Sequence, residues 1–200
     1  MNHTELTLEY YNKKAESFTL DTKDVEFSTI QDDFASYVPA GGTILDLGCG
    51  SGRDSKAFIE RGYRVVAVDG SEEICRVAGE YIGQEVICST FQEYKPTETF
   101  DGIWACASLL HLEKDEIKDV MKQLSENLRV GGCFYASFKY GRFSGMRNGR
   151  YFTDMTEESF AEVLQDIPVL RLERQYITSD ARPGRADEKW LNVFLVRDQK

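Results

Sequence analysis

Nowhere in the 200 residues does an apolar run approach the ~18–20 residues that a bilayer-spanning helix needs. The first ten, Met1–Tyr10, are polar and acidic, with neither a basic start nor an apolar stretch, so no secretory leader is expected. Histidine is scarce: His3 and His111 are the only two. The five cysteines (Cys49, Cys75, Cys88, Cys106, Cys133) are odd in number, widely spread and form no C-x-x-C pair. Four lie in or beside apolar, strand-like runs, where a free thiol packs as a small hydrophobe. No metal and no disulfide framework are expected, and a reduced, cytoplasmic compartment is. Positive charge is short as well. Lys and Arg number 24 against 34 Asp and Glu, a formal net charge of −10. Nucleic acid requires a basic face that displaces counterions, so neither a nucleic-acid nor a membrane partner is expected. Repeats, low-complexity tracts and linkers are absent, and 1–200 reads as one domain. With 42% hydrophobic and 29% charged residues, the balance is that of a globular chain able to bury a full core.

What is present is a changing hydrophobic period. Two amphipathic stretches open the chain, the second over about Val25–Val38, with Phe27, Ile30, Phe34 and Val38 at helical spacing before Pro39. Thr43–Leu47 then reads as a short strand, Arg53–Arg61 as a helix closed by Gly62, and Tyr63–Val68 as a second strand. Ser71 is a good N-cap, followed by Glu72 and Glu73 where the helix dipole favours acids. That helix runs to about Ile82. Glu85–Cys88, Phe100–Ala105 and Cys133–Phe138 are further strands, with an amphipathic helix over Lys114–Leu128. Asp154–Glu157 reads as a capping box for a helix to about Gln165. Val169–Thr178 and Trp190–Arg197 close the chain with no helix between them, so they must pair as an antiparallel hairpin. Strand–helix alternation before them implies a parallel sheet covered on both faces. The expected fold is a doubly wound α/β, seven-stranded and mostly parallel, with that antiparallel hairpin at its C-terminus.

Between the first strand and first helix lies Ile44-Leu-Asp46-Leu-Gly48-Cys49-Gly50-Ser-Gly52-Arg53-Asp54-Ser55. Glycines there let backbone approach a ligand closely. A dinucleotide turn, G-x-G-x-x-G/A, would place a small residue where Arg53 stands, which argues against NAD. A second acid, Asp69, stands at the end of the second strand, twenty-three residues after Asp46.

This pattern resembles motif I of the class I S-adenosylmethionine-dependent methyltransferases, over nearly the whole chain. Gly-Cys-Gly-Ser-Gly-Arg53-Asp-Ser55 with Gly62-Tyr63-x-Val65 and Asp69 is most similar to the small tellurite-resistance-type enzymes. The resemblance implies S-adenosylmethionine as cofactor. It also implies a cofactor site formed by Asp46, Gly48, Cys49, Gly50, Arg53, Asp69 and Gly70, with the fourth strand's end at Ala105 facing the methyl. The acid usual after the third strand is missing. Phe91 could stack on the adenine with Gln92 beside it, or Phe91 could be a core anchor. Tyr10 and Tyr11 resemble a lid segment, so residues 1–39 read as N-terminal helices and lid, and 40–200 as catalytic core.

Methyl transfer from a sulfonium needs a positioned nucleophile and, where it is protonated, a base. His111 and Tyr11 are the catalytic candidates, and a structural role for His111 is equally open. From Lys139 to Arg150 there are four cations and no acid. This island and the Ser179–Lys189 loop both leave strand ends on the ligand-binding side of a parallel sheet. Tyr140, Arg147, Arg150, Arg182 and Arg185 therefore read as an acceptor site for a small anion, or else as solvated loop residues. A monomer or homodimer acting on a small, anionic or chalcogen-containing molecule is expected. A protein or RNA methyltransferase and a non-catalytic S-adenosylmethionine-binding regulator remain open.

Overall fold

Every second residue of a strand faces the same side of its sheet, so fully apolar strands must be covered twice. Such strands dominate this chain. The computed structural model describes residues 1–199. Helices α1 (His3–Thr22) and α2 (Ser28–Ala35) precede β1 (Thr43–Leu47), α3 (Arg53–Glu60), β2 (Arg64–Asp69), α4 (Glu72–Ile82), β3 (Ile87–Cys88) and β4 (Phe100–Ala105). A single 3₁₀ turn, Leu109–His111, leads to α5 (Lys114–Ser125) and β5 (Leu128–Lys139). Then follow β6 (Ser144–Arg147), β7 (Arg150–Thr153), α6 (Glu157–Leu164), β8 (Leu170–Ser179) and β9 (Lys189–Arg197).

Seven strands form one sheet in the order β3-β2-β1-β4-β5-β9-β8. Strands β1 to β5 run parallel, and β9 is antiparallel to both its neighbours. The expected doubly wound α/β sheet and C-terminal hairpin are thus present. The last strand inserts between β5 and β8, so the reversed strand lies one in from the edge. Alternation splits the core into two layers. Leu45, Ile103 and Phe134 face the side of α5 and α6, whereas Ile44, Trp104 and Tyr135 face Phe34 of α2 and Phe58 of α3. Trp104 and Tyr135 stack with ring centroids 4.1 Å apart.

Several boundaries differ from expectation. The helix ends at Ser125, and β5 begins at Leu128 because Phe100 pairs with Leu128 before a bulge resets the register at Gly102–Cys133. The third strand shrinks to two residues, and α2 is shorter than its apolar pattern. Thr156, not Asp154, caps α6, in a box with Ser159. The cationic island is no loop: β6 and β7 pair antiparallel about Asn148-Gly149, both at positive φ (52° and 81°). That is the Asn-Gly signal of a tight hairpin. Within the expected N-terminal segment 1–39, Ile30, Phe34 and Val38 belong to the buried core.

Polar contacts hold α1 at both sides. Asn12 Oδ1 accepts from Ser71 Oγ (2.6 Å) and Glu73 N (3.2 Å) at the start of α4. Thr7 Oγ1 accepts from Tyr151 N of β7 (3.0 Å). Helix α1 therefore bridges α4 and the β6–β7 hairpin above the C-terminal strand edge, where ligands bind in open α/β sheets.

Candidate active site

Beneath α1 a cavity follows the C-terminal strand edge, from Gly70 and Phe91 at one end to Trp190 and Arg182 at the other. The turn after β1 forms its floor. Gly48 and Gly50 adopt φ of 76° and 54°, and a Cβ on Gly48 would fall 2.4 Å from that of Ser108. Only glycine fits there. The Gly50 N–H donates to Asp69 Oδ2 (3.1 Å) and the Ser71 N–H to Asp69 Oδ1 (3.0 Å). Each oxygen of this carboxylate keeps acceptor capacity on the cavity side. Burial raises the Asp69 pKa, opposed by these N–H groups.

Arg53, first residue of α3, folds back on its neighbour. Its Nε and one terminal nitrogen each lie 2.9 Å from Asp54, and the guanidinium covers the Phe27 ring at 4.2 Å. Asp54 also accepts from Gln31 (2.7 Å) and Trp104 (3.0 Å). Burial alone would raise the Asp54 pKa, but Arg53 and these donors hold it below the usual carboxylate range.

At mid-cavity three side chains meet. His111 Nδ1 lies 2.7 Å from the Tyr151 carbonyl, which can only accept, so Nδ1 carries the proton in the neutral ring. Its Nε2 then accepts from the Tyr11 hydroxyl (2.9 Å), and Arg150 donates to that hydroxyl oxygen (3.2 Å). Burial pushes the His111 pKa down to about 4 and the Tyr11 pKa up. Arg150 packs over Tyr10 at 4.5 Å and Phe152 at 5.1 Å. Its Nε is buried without a partner. Arg53, Lys139, Arg182 and Arg185, which also line the cavity, each face a carboxylate; Arg150 faces none among the described residues.

With the geometry in view, comparison places the chain among known proteins. Residues 44–132 match the methyltransferase domain family. That stretch is similar to S-adenosylmethionine-dependent methyltransferases. The chain is 27% identical over 135 residues to a probable S-adenosyl-L-methionine-dependent methyltransferase, TehB, of Haemophilus influenzae, covering 64% of this chain and 46% of that protein. It is 25% identical to phosphoethanolamine N-methyltransferase 3 of Arabidopsis thaliana, covering 61% of this chain and 28% of that one. The chain thus spans less than half the length of these curated relatives. In fold it is similar to Burkholderia thailandensis 1,6-didemethyltoxoflavin-N1-methyltransferase. The TM-score is 0.78 at 18% identity, with 98% of this chain and 89% of that one covered.

The cofactor of these methyltransferases is S-adenosylmethionine, and the residues present fit it. Asp69 offers two oxygens with spare lone pairs, as a vicinal diol requires. Gln92 donates to Glu116 (3.2 Å), which turns its Oε1 inward, and that atom is buried with no partner. An amino group on a purine would satisfy it. Phe91 is both half-buried against the core and cavity-lining. Arg53, engaged with Asp54 and Phe27, occupies the position where a dinucleotide turn needs a small residue.

Among the sequence candidates, Gly48, Cys49, Gly50, Arg53, Asp69, Gly70, Phe91, Gln92, Tyr11, His111, Arg150, Arg182 and Arg185 line this cavity. Four do not. Asp46 lies beneath the turn, 2% exposed, accepting from Ser55 Oγ at 2.6 Å; burial and the Asp54 charge raise its pKa. Ala105 is wholly buried, and the cavity meets its successors Cys106 and Ala107. Arg147 turns to Asp154 (2.9 Å) and Tyr140 to Glu157 (3.0 Å), both outside the cavity. Arg147 and Arg150 stand directly opposite each other on one face of the hairpin; Arg147 is engaged by Asp154, and of the two only Arg150 lines the cavity beneath α1. The sequence reading missed Ser137, Thr178 and Asn192, at the ends of β5, β8 and β9. It also missed Ala107, held at φ 51° with its N–H on Ser137 Oγ (2.8 Å). A non-glycine residue in that conformation is a strained position of the kind that gathers at functional sites. Four small residues after the fourth strand, Ala105-Cys-Ala-Ser108, were the available signal. Among the described residues no cluster of His, Cys, Asp and Glu could hold a metal ion, and no helix is long and apolar enough to cross a membrane.

Proposed function

We propose that this protein is a methyltransferase that moves the methyl of S-adenosylmethionine to a small acceptor carrying an anionic group. The observation that carries the reading is Arg150, the cavity cation without a carboxylate, whose Nε is buried and unpaired. A buried guanidinium is costly without a counter-charge, and a planar anion would supply one with bidentate hydrogen bonds. Bound S-adenosylmethionine supplies an electrophilic methyl on a sulfonium. Asp69 would accept from its ribose hydroxyls, and Gln92 and Phe91 would hold the adenine. Arg150 holds the acceptor. Where the nucleophile bears a proton, the Tyr11 hydroxyl takes it while passing its own to His111 Nε2, which stands neutral and unprotonated. A proton relayed in this way would end on His111 Nε2. A thiol- or selenol-like acceptor and a heterocyclic N–H, the latter suggested by the 1,6-didemethyltoxoflavin bound to the Burkholderia enzyme, both suit this arrangement. A small molecule fits better than a protein or RNA, because α1 and the hairpin roof the cavity. Five free cysteines suit a reducing, cytoplasmic setting.

The test is a metabolite extract incubated with methyl-labelled cofactor and either wild-type protein or Arg150→Met. S-adenosylhomocysteine affinity should be equal in the two. Labelled product should fall about ten- to hundredfold in the variant, the value of a charged hydrogen bond. Full turnover by Arg150→Met would refute the anionic-acceptor reading, and no transfer by wild type to any component would refute the enzyme.

A further inference from the structure

A second, outer cleft adjoins the cavity between the β6–β7 hairpin and the β8–β9 loop. Lys139, Arg150, Phe152 and Arg185 border both spaces, whereas Glu188 borders only the outer one. The wall between them is an ion triad. Glu188 accepts from Arg185 Nε (2.6 Å) and a terminal nitrogen (2.8 Å) and from Lys139 Nζ. Both cations thus show one side to a carboxylate and the other to the cavity.

The neighbouring pair behaves differently. Asp180 is 3% exposed at its side chain and accepts from Arg182 N (2.9 Å), Arg182 Nε (2.9 Å) and Trp190 Nε1 (3.1 Å). A carboxylate so enclosed and so fully bonded is fixed structure. The Glu188 side chain is 35% exposed, and its only side-chain partners are the two cations. They hold its pKa down to about 2, the hydrogen bonds from Arg185 foremost. It remains ionised at every physiological pH, on a side chain with room to swing into solvent.

We propose that Glu188 is a displaceable internal anion: Lys139 and Arg185 form an anionic subsite that Glu188 fills until the acceptor's own anionic group arrives through the outer cleft and takes its place. The inference rests on the anionic-acceptor reading and extends it, adding Lys139 to the acceptor-binding residues and assigning Glu188 as a gate. An acceptor without charge cannot exchange with Glu188, so the triad selects for charge as well as closing the wall. Exchange conserves ion pairing, since an incoming anion replaces Glu188 on both cations while Asp180 stays 4.0 Å from Arg185.

Inorganic sulfate is the probe, titrated at constant ionic strength into the protein saturated with S-adenosylhomocysteine. Trp190 reports it by fluorescence, because Lys139 Nζ lies 5.2 Å from the Trp190 ring. Glu188→Gln should bind sulfate at least about tenfold tighter than wild type, since the internal competitor is gone. Arg185→Met should bind it about tenfold or more weaker, the loss expected for a charged hydrogen bond. Equal sulfate affinity in wild type and Glu188→Gln, both retaining S-adenosylhomocysteine binding, would overturn the gate. Should Glu188→Gln fail to fold, unchanged affinity in Arg185→Met would overturn it instead. Arg150→Met separates the two levels. If it alone weakens sulfate binding, the anion site lies at Arg150 and the gate fails while the acceptor reading stands. If no variant alters sulfate binding, both fail.

Discussion

Replacing Asp69 with Ala removes the one carboxylate that joins the glycine turn to the cavity, so its cost divides into two parts that separate assays read. The first is ligand binding. Two oxygens with spare lone pairs offer two charge-assisted hydrogen bonds to a diol, and each such bond contributes about 1.5 kcal/mol or somewhat less where cavity water replaces it. Asp69→Ala should therefore lose about 2–3 kcal/mol, a rise in S-adenosylhomocysteine Kd of about 30- to 150-fold. The second is the apo fold. Gly50 N–H and Ser71 N–H lose their acceptor; Gly50 borders the cavity, where water can replace it, whereas Ser71 is wholly buried, so the stability loss should be about 1–3 kcal/mol, the cost of one orphaned buried N–H. Calorimetric titration reads the first and thermal melting without ligand reads the second. Acidification should mimic the first effect in wild type. Burial raises the Asp69 pKa, so the binding-competent carboxylate is lost at a higher pH than an exposed aspartate would lose it. A Kd within threefold of wild type for Asp69→Ala would refute the placing of the cofactor ribose at the end of β2.

Gln92 should set the choice of base. Wild type should prefer S-adenosylhomocysteine to S-inosylhomocysteine, which lacks the amino donor, by about tenfold, and Gln92→Leu should erase the preference; an unchanged ratio would remove Gln92 from the adenine contact. His111 should make stability acid-sensitive. Its folded pKa of about 4 lies below the ordinary 6.5, so the unfolded chain takes up the proton first. Its contribution is complete above about pH 6.5 and is lost as pH falls toward 4. His111→Asn should melt with a flatter pH dependence across that window, and identical slopes would show that the ring is charged in the native state.

Hydrophobic period, turn glycines and one reversed hairpin were enough to read the sheet from the chain, because each is a local consequence of residue type. Asp69 and the glycine turn were legible for the same reason: a strand, a turn and a helix start within one short segment place them. The arginines were not. All four acceptor-site arginines, Arg147, Arg150, Arg182 and Arg185, stand near strand ends in sequence, and nothing local distinguishes Arg150 from Arg147. The partners each meets in the folded chain separate them: Asp154 takes Arg147, while Tyr10 and Tyr11 of α1 receive Arg150. Asp46 shows the opposite case. Its place in the motif suggested ligand contact, yet the strand on which it sits carries it below the turn, where Ser55 bonds it. Residue type along the chain dictated the order of elements and the residues that local geometry must deliver to one edge. Which cations already have a carboxylate, which polar atoms lie buried and unpaired, and that Tyr11, His111 and Arg150 meet were decided only by the tertiary structure. Those contacts join residues some 40 to 140 positions apart, a separation over which no local preference acts and only the packing of the whole chain does.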